Sequence, residues 1–357
     1  MTAVVFVLAM VALRWNHDTG LTSLEQFGED WASQRMPALK EVPISTVKEG
    51  GYDGQFYAQL AVQPNVNNPE LQLALDNPAY RSRRILLPLT AHLLGGGNAQ
   101  ASLYTYALLN LVAWVVLAWV WWREVRASTP QGAAVWLACL LSLGALDSVR
   151  LSLTDLPATL LLVGAVLAVR ASRTGVAVAC ILAGGFVRET SVLAVDLFNP
   201  EGKWRTWGLR ALCVLPVLGW CVWLRLNVPG DTGAQAFDWP GLGLAQHLRL
   251  CVQELGAGNF DSRYLFGLLG ALGLACQSAF VLLRWREPDP WVRLGLPFAV
   301  LFWFLSAYVF SGYWAAARAC LPLTFAFNRL LPRDGKFWPR LVLANLSVLH
   351  GVWRMLP

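Results

Sequence analysis

From residue 101 onward the chain alternates long apolar runs with short polar turns. The runs lie at about 101–122, 132–148, 153–169, 175–187, 190–199, 207–226, 263–283, 291–310, 313–330 and 337–354. A helix needs about 20 apolar residues to cross a bilayer core of about 30 Å. Backbone groups in lipid have no water to bond, so such runs are expected to be helical. Residues 2–13 are apolar but short, without the charged start and small-residue cleavage site of a signal peptide, and are expected to form a shortened first span. Two polar stretches interrupt the pattern, one at 14–100 and one at 227–262. The expected fold is all-α: one polytopic domain over 1–357, with about ten to eleven transmembrane or half-membrane helices and a long first loop carrying short surface helices.

Charge sorts the turns into two sets. Arg123/Arg126, Arg170/Arg173, Lys203/Arg205/Arg210, Arg284/Arg286 and Arg333/Lys336/Arg340 form a basic set. The turns at 148–152, 227–262 and 311–313 carry few basic residues. Positive turns stay in the cytoplasm, which puts the long first loop and the 227–262 loop outside. Residues 175–199 test this scheme. As one span they would set Arg188 and Glu189 at the bilayer centre, where each charge costs roughly 2.5–3.5 kcal/mol, and would export every later basic cluster. Two short helices meeting at Arg188-Glu189-Thr190 avoid both costs, so a hairpin with this pair at its outer apex is expected.

Within the first loop, Ser23-Leu24-Glu25-Gln26 has capping-box spacing and predicts a helix over about 22–34. Residues 84–95 and 241–256 predict two more surface helices, and Pro64, Pro69 and Pro78 are expected to break the stretch between.

Composition agrees with a membrane protein. Of 357 residues 56% are hydrophobic and 14% charged, against roughly 25% charged in soluble domains. The net charge of +6 comes from arginines at the ends of apolar runs, which does not suggest nucleic acid. The seven cysteines show no CxxC or Cys/His metal spacing and read as small apolar fillers. No metal or cofactor is expected.

The residue types that carry chemistry are concentrated outside the runs. Asp53 stands between Gly51 and Gly54 in the segment Gly51-Tyr52-Asp53-Gly54-Gln55-Phe56-Tyr57. It reads either as a turn with an aromatic anchor or as a wet carboxylate beside a sugar-stacking wall of Tyr52, Phe56 and Tyr57. Tyr80 and Arg81, Arg83 and Arg84 follow, as headgroup contacts or as a phosphate site suited to the bidentate guanidinium. Asp155 reads as a helix cap or as a cavity carboxylate. Arg188 and Glu189 read as a mutually neutralising pair or as functional ions at membrane depth. Arg318, one turn into an outer-starting span, is a further candidate for an anionic headgroup. Asp18 and Asp30 are loop carboxylates that share the Asp53 question.

Four pieces of sequence carry a resemblance: Gly51–Tyr57, Leu75-Asp76-Asn77-Pro78-Ala79-Tyr80-Arg81 with Arg84–Leu89, Leu153-Thr154-Asp155, and Val187-Arg188-Glu189-Thr190-Ser191. In order and spacing, over roughly residues 40–195, they resemble a bacterial family of multi-pass proteins within or near the C-type (GT-C) superfamily of polytopic glycosyltransferases. The C-terminal half is similar only as alternating spans. The resemblance implies a carboxylate in the first outer loop acting as catalytic base, Asp53 with Asp30 and Asp18 as alternatives, and a lipid-phosphate site between that loop and later spans. The substrate-binding set is then Tyr52, Gln55, Tyr57, Tyr80, Arg81, Arg84, Asp155, Arg188, Glu189 and Arg318. Arg84, Arg188 and Arg318 would hold the phosphate, Glu189 would orient Arg188, and Asp155 would line the cavity.

The implied partners are a polyprenyl-phosphate-linked sugar donor, membrane lipid, and a glycan, lipid or protein acceptor. The implied location is the bacterial cytoplasmic (inner) membrane, with the site facing the periplasm. A transporter or flippase of a lipid-linked or anionic solute, and a non-catalytic assembly subunit, are the rival expectations.

Overall fold

The computed structural model describes residues 2–198, 203–231, 233–311 and 313–356. These are mostly helical; the one sheet among them is a two-residue parallel pairing of Phe27–Gly28 with Thr46–Val47. Three helices are long and apolar enough to cross a membrane: Ala99–Glu124, Trp204–Asn227 and Ser262–Leu282. A fourth span results if Pro130–Leu140 and Leu143–Arg150, bent by 47°, are taken together. Asn98 and Asp261 cap the first and third, accepting from the N–H groups of Ala101 and Arg263. The outward faces are apolar, with Val112, Val116, Trp119, Leu215, Leu218 and Val222 exposed.

The later runs are helical where expected but broken. Residues 313–330 divide into Tyr313–Ala319 and Leu321–Leu330. Pro322 is the reason, because it has no N–H for the carbonyl of residue 318. Residues 291–310 divide after Phe304, where Ser306 turns aside: its N–H bonds Ala236 O at 3.0 Å and its hydroxyl bonds Gln235 O at 2.6 Å. Residues 337–354 divide between Ala344 and Ser347, where Asn345 and Asn328 exchange side-chain bonds at 2.9 and 3.0 Å. A single hydropathic run hides such breaks, because the residues around them stay apolar.

The expected hairpin is present. The helix Thr174–Val187 ends at Arg188, whose backbone is extended, and a 3₁₀ helix, Glu189–Leu197, folds back against it. Gly184 allows the return, since a Cβ there would lie 3.1 Å from the Cβ of Ser191.

The first loop is a folded cap with its own core of Phe27, Met36, Leu39, Tyr57, Leu60 and Leu71. At its centre is the helix Gly54–Val62, buried along its whole length. The sequence reading placed a wet turn here; the helix lacks an exposed face, so it leaves no amphipathic period to read. Pro69 and Pro78 begin short helices capped by Asn68 and Asn77, rather than only breaking the chain. The expected helix over 22–34 does not form. It is replaced by 3₁₀ turns at Thr22–Leu24 and Glu29–Gln34. Gln26 sits at φ 56, and its side chain bonds Ser23 O at 2.7 Å instead of closing a capping box. The other surface helices lie at Leu86–Leu94 and Leu242–Gly256, as expected.

Turns sorted together by charge also touch. Arg170 and Arg329 both pair with Glu124, and Arg333 bonds Gln131 O. In the opposite set, Ala79 N–H of the first loop bonds Pro229 O.

Candidate active site

A cavity of about 640 Å³ lies between the first-loop cap, the 188–190 apex, the residues Asp231, Gly233, Gln235, Ala236 and Phe237, and the helices Pro290–Phe304, Ala307–Ser311 and Tyr313–Ala319. Tyr52, Asp53, Tyr80, Arg81, Arg84, Arg188, Glu189 and Arg318 all line it. These residues come from four separate parts of the chain, and the structure brings them together.

Asp53 precedes the buried helix Gly54–Val62. Two glycines make that position possible. Gly51 is left-handed at φ 69, and a Cβ on Gly54 would come within 2.3 Å of Leu151 O. Arg81 Nη2 donates to Asp53 Oδ1 at 2.8 Å and to Asp76 Oδ2 at 2.6 Å, while Arg81 Nε donates to Asp76 Oδ1 at 2.8 Å. Asp53 keeps 32% of its side-chain surface and Arg81 only 8%, so the carboxylate faces the cavity and the cation lies behind it. Burial would raise the Asp53 carboxyl, but the charges of Arg81 and Arg318 outweigh it and lower it to about 2. Burial would likewise discharge Arg81, and Asp53 and Asp76 hold it firmly protonated.

The opposite end has the inverse stoichiometry. Asp155 begins the helix Asp155–Arg170 and is almost fully buried. Arg188 Nη1 bonds its Oδ1, and Arg318 Nη1 approaches its Oδ2 at 3.5 Å. Arg318 Nη2 and Trp314 Nε1 both donate to Tyr52 Oη, at 2.9 and 2.7 Å. Neither donor can accept, so the phenolic proton of Tyr52 is left to point at something else.

Between the ends lies a neutral pair. Arg84 binds Glu189 bidentately, at 2.9 and 3.0 Å. Its Nη1 donates to Tyr57 Oη at 2.6 Å, and Nη2 donates also to Tyr80 Oη at 2.9 Å.

Several expectations are corrected by this geometry. Glu189 orients Arg84, not Arg188, and the two residues of the apex do not neutralise each other. Asp155 is not in the lining of this cavity but in that of a small pocket that it shares with Arg188 and Arg318, which bond its two oxygens. Gln55 is fully buried and holds the loop, accepting from Gly28 N at 3.0 Å and donating to Gly50 O at 2.7 Å. Tyr57 is buried behind the arginines. Asp18 and Asp30 do not line the cavity.

Sequence reasoning gave no role to Asp76, Asp231 or Trp314. Asp76 stands before Asn77-Pro78, which reads as a cap. Asp231 accepts from Asn77 Nδ2 at 2.9 Å, docking the second polar loop onto the first, a contact with no local signal. Among the described residues no group of three or more His, Cys, Asp and Glu is placed to hold a metal ion. Searches against family models, curated proteins and solved structures find no match to this chain.

Proposed function

We propose that the chain is a polytopic membrane glycosyltransferase of the C-type (GT-C) kind, inverting, and that it uses a polyprenyl-phosphate sugar as donor. One observation carries the reading: the cavity is polarised. At one end two carboxylates, Asp53 and Asp76, share one arginine; at the other two arginines, Arg188 and Arg318, share one carboxylate.

The reaction needs both ends. An acceptor hydroxyl forms a bond to the anomeric carbon while the bond from that carbon to the phosphate oxygen breaks. The hydroxyl proton passes to the acidic end, and the departing phosphate gains a negative charge at the basic end. Fixed positive charge where negative charge develops is the larger catalytic term. Arg188, with no further hydrogen-bond partner among the described residues, and Arg318, which donates besides to Tyr52, suit this task. Arg84 is largely satisfied by Glu189, Tyr57 and Tyr80, and acts instead as the strut between the ends.

Asp53, held at about 2, is a weak base. It orients the hydroxyl and takes its proton late, when bond formation has made the hydroxyl acidic. Leu301, Leu305 and Val309 give the cavity an apolar wall for the carrier chain. In this reading the remaining shorter helices and broken runs complete about ten to eleven spans and half-spans, the basic turns lie in the cytoplasm, and the cavity opens outside a bacterial inner membrane. The acceptor is a glycan, lipid or protein.

The test is transfer from radiolabelled polyprenyl-phosphate sugars in detergent. Asp53→Asn keeps the shape and is expected to lose about 10²–10⁴-fold in rate at unchanged yield. Near-normal transfer by that variant removes Asp53 as base. Silence of the wild-type protein with every donor, together with solute uptake into vesicles, replaces the reading with a transporter.

A further inference from the structure

A second group of arginines lies outside the cavity. The helices Leu143–Arg150 and Ser347–Met355 pack together, with Gly351 against Leu141 O and Leu143 N. Arg354 Nε donates to Asp147 Oδ1 at 2.9 Å. Arg14, just beyond the first helix, donates to Met355 O and Leu356 O, both at 3.2 Å. Arg150 ends the helix that carries Asp147, three residues beyond it, where Arg354 and Arg14 act on it as like charges and Asp147 as the opposite one, and among the described residues it makes no ion pair.

Among the described residues, three guanidiniums thus share one carboxylate, Asp147, which is 1% exposed and has one oxygen already taken. The carboxylate of Asp18 is 83% exposed and pairs with His17, so it does not relieve them. All three arginines are partly exposed, whereas Asp147 is sealed beneath. Surplus positive charge that is half-desolvated and reachable calls for an anion. The surroundings say which kind. Leu13, Trp15, Leu349 and Trp353 are all more than half exposed around the arginines. Exposed Trp beside Arg at the end of apolar helices is the pattern of a membrane–water interface.

We propose that Arg14, Arg150 and Arg354 form a phosphate site for an anionic phospholipid headgroup, with the acyl chains against the first and last helices. Arg354 also lies over the Trp314 ring at 4.6 Å, and Trp314 bonds Tyr52 in the cavity wall. The site therefore backs directly onto the cavity without opening into it. It requires a membrane around the chain but not glycosyl transfer, so the two readings can fail separately.

The test counts lipids retained by the full chain in native mass spectrometry from detergent, with phosphatidylglycerol and phosphatidylcholine as probes. The wild-type protein should retain phosphatidylglycerol preferentially. Arg150→Gln, which breaks no ion pair among the described residues, should lower that preference about fivefold, the worth of one basic residue at an anionic surface, and Arg150→Lys should restore most of it. Arg14→Gln should act in the same direction, and Arg263→Gln, at an exposed arginine elsewhere, should not. Millimolar inorganic phosphate should compete weakly, because it lacks the apolar contact. Displacement of the lipid by phosphate alone would assign the site to a free anion instead. Equal retention of the two lipids by the wild-type protein, or an unchanged preference in both Gln variants, overturns the proposal.

Discussion

Asp53 and Asp76 accept hydrogen bonds from the same nitrogen, Arg81 Nη2, at 2.8 and 2.6 Å. A guanidinium placed between two carboxylates fixes both in position, and it lowers the Asp53 carboxyl. It also makes Asp53 a poorer base than a free carboxylate, so positioning and basicity are set against each other at one residue.

That opposition gives a pH prediction. With Arg81 present, Asp53 titrates near 2, and transfer should show no acidic limb from it above about pH 4, the ordinary range for a carboxyl. Arg81→Gln removes the cation while burial, which raises the carboxyl, remains. The variant should lose rate and gain an acidic limb above pH 4, with recovery as pH rises. The profile of transfer rate between pH 4 and 8 checks this. A flat profile in Arg81→Gln would mean that Asp53 does not titrate in the reaction.

Asp155 gives a stability prediction. It is the shared partner of Arg188 and Arg318, both largely buried. Leaving a buried charge uncompensated costs about 3–5 kcal/mol. Asp155→Asn should therefore lower thermal stability sharply, and adding Arg188→Gln should recover part of the loss. Each variant's melting in detergent, followed by thiol or light-scattering readouts, decides it. A melting temperature within a degree of wild type in the single variant would rule out a structural role for the pair.

Much of this arrangement was readable from the chain, for physical reasons that differ from residue to residue. The break at Arg188 was legible because charges at membrane depth are costly and positive turns must stay on one side. The pairing of Arg84 with Glu189 was not, since these residues are 105 apart in sequence and local chemistry favours Arg188 as the neighbour. Gln55 looked like a ligand because polar residues among aromatics do. Its bonds to Gly28 N and Gly50 O show it fastening the strand and turn that carry Asp53. Asp76 was hidden by its neighbours Asn77 and Pro78, whose capping signal explains the segment without it.

Glu25 makes the pH argument with the opposite sign. Its carboxyl is fully buried without a hydrogen-bond partner among the described residues, and burial raises it well above the usual carboxylate range. Below the unfolded value both states carry the proton. Above it the unfolded chain releases the proton and the folded one keeps it, so stability falls as pH rises toward the folded value. Glu25→Gln should match wild type near pH 4 and melt higher at pH 7 to 8. Equal melting temperatures for the two proteins at both pH values would show that Glu25 is not held protonated.

Orientation is the last prediction, because the proposed chemistry depends on which side the cavity faces. Ser33 and Asn259 are exposed on the two polar loops, and Ala171 is exposed in a basic turn. Cysteine placed at each, with the exposed Cys276 replaced by alanine, can be challenged in intact cells with a charged, membrane-impermeant maleimide. Positive turns remain in the cytoplasm, so the cysteines at 33 and 259 should label and the one at 171 should label only after the membrane is opened. The reverse pattern would turn the cavity toward the cytoplasm, where nucleotide sugars rather than a lipid-linked donor supply glycosyl groups. Labelling at all three positions in intact cells would instead mean that the basic turns do not set the topology, and would remove the argument that placed Arg188 and Glu189 at an outer apex.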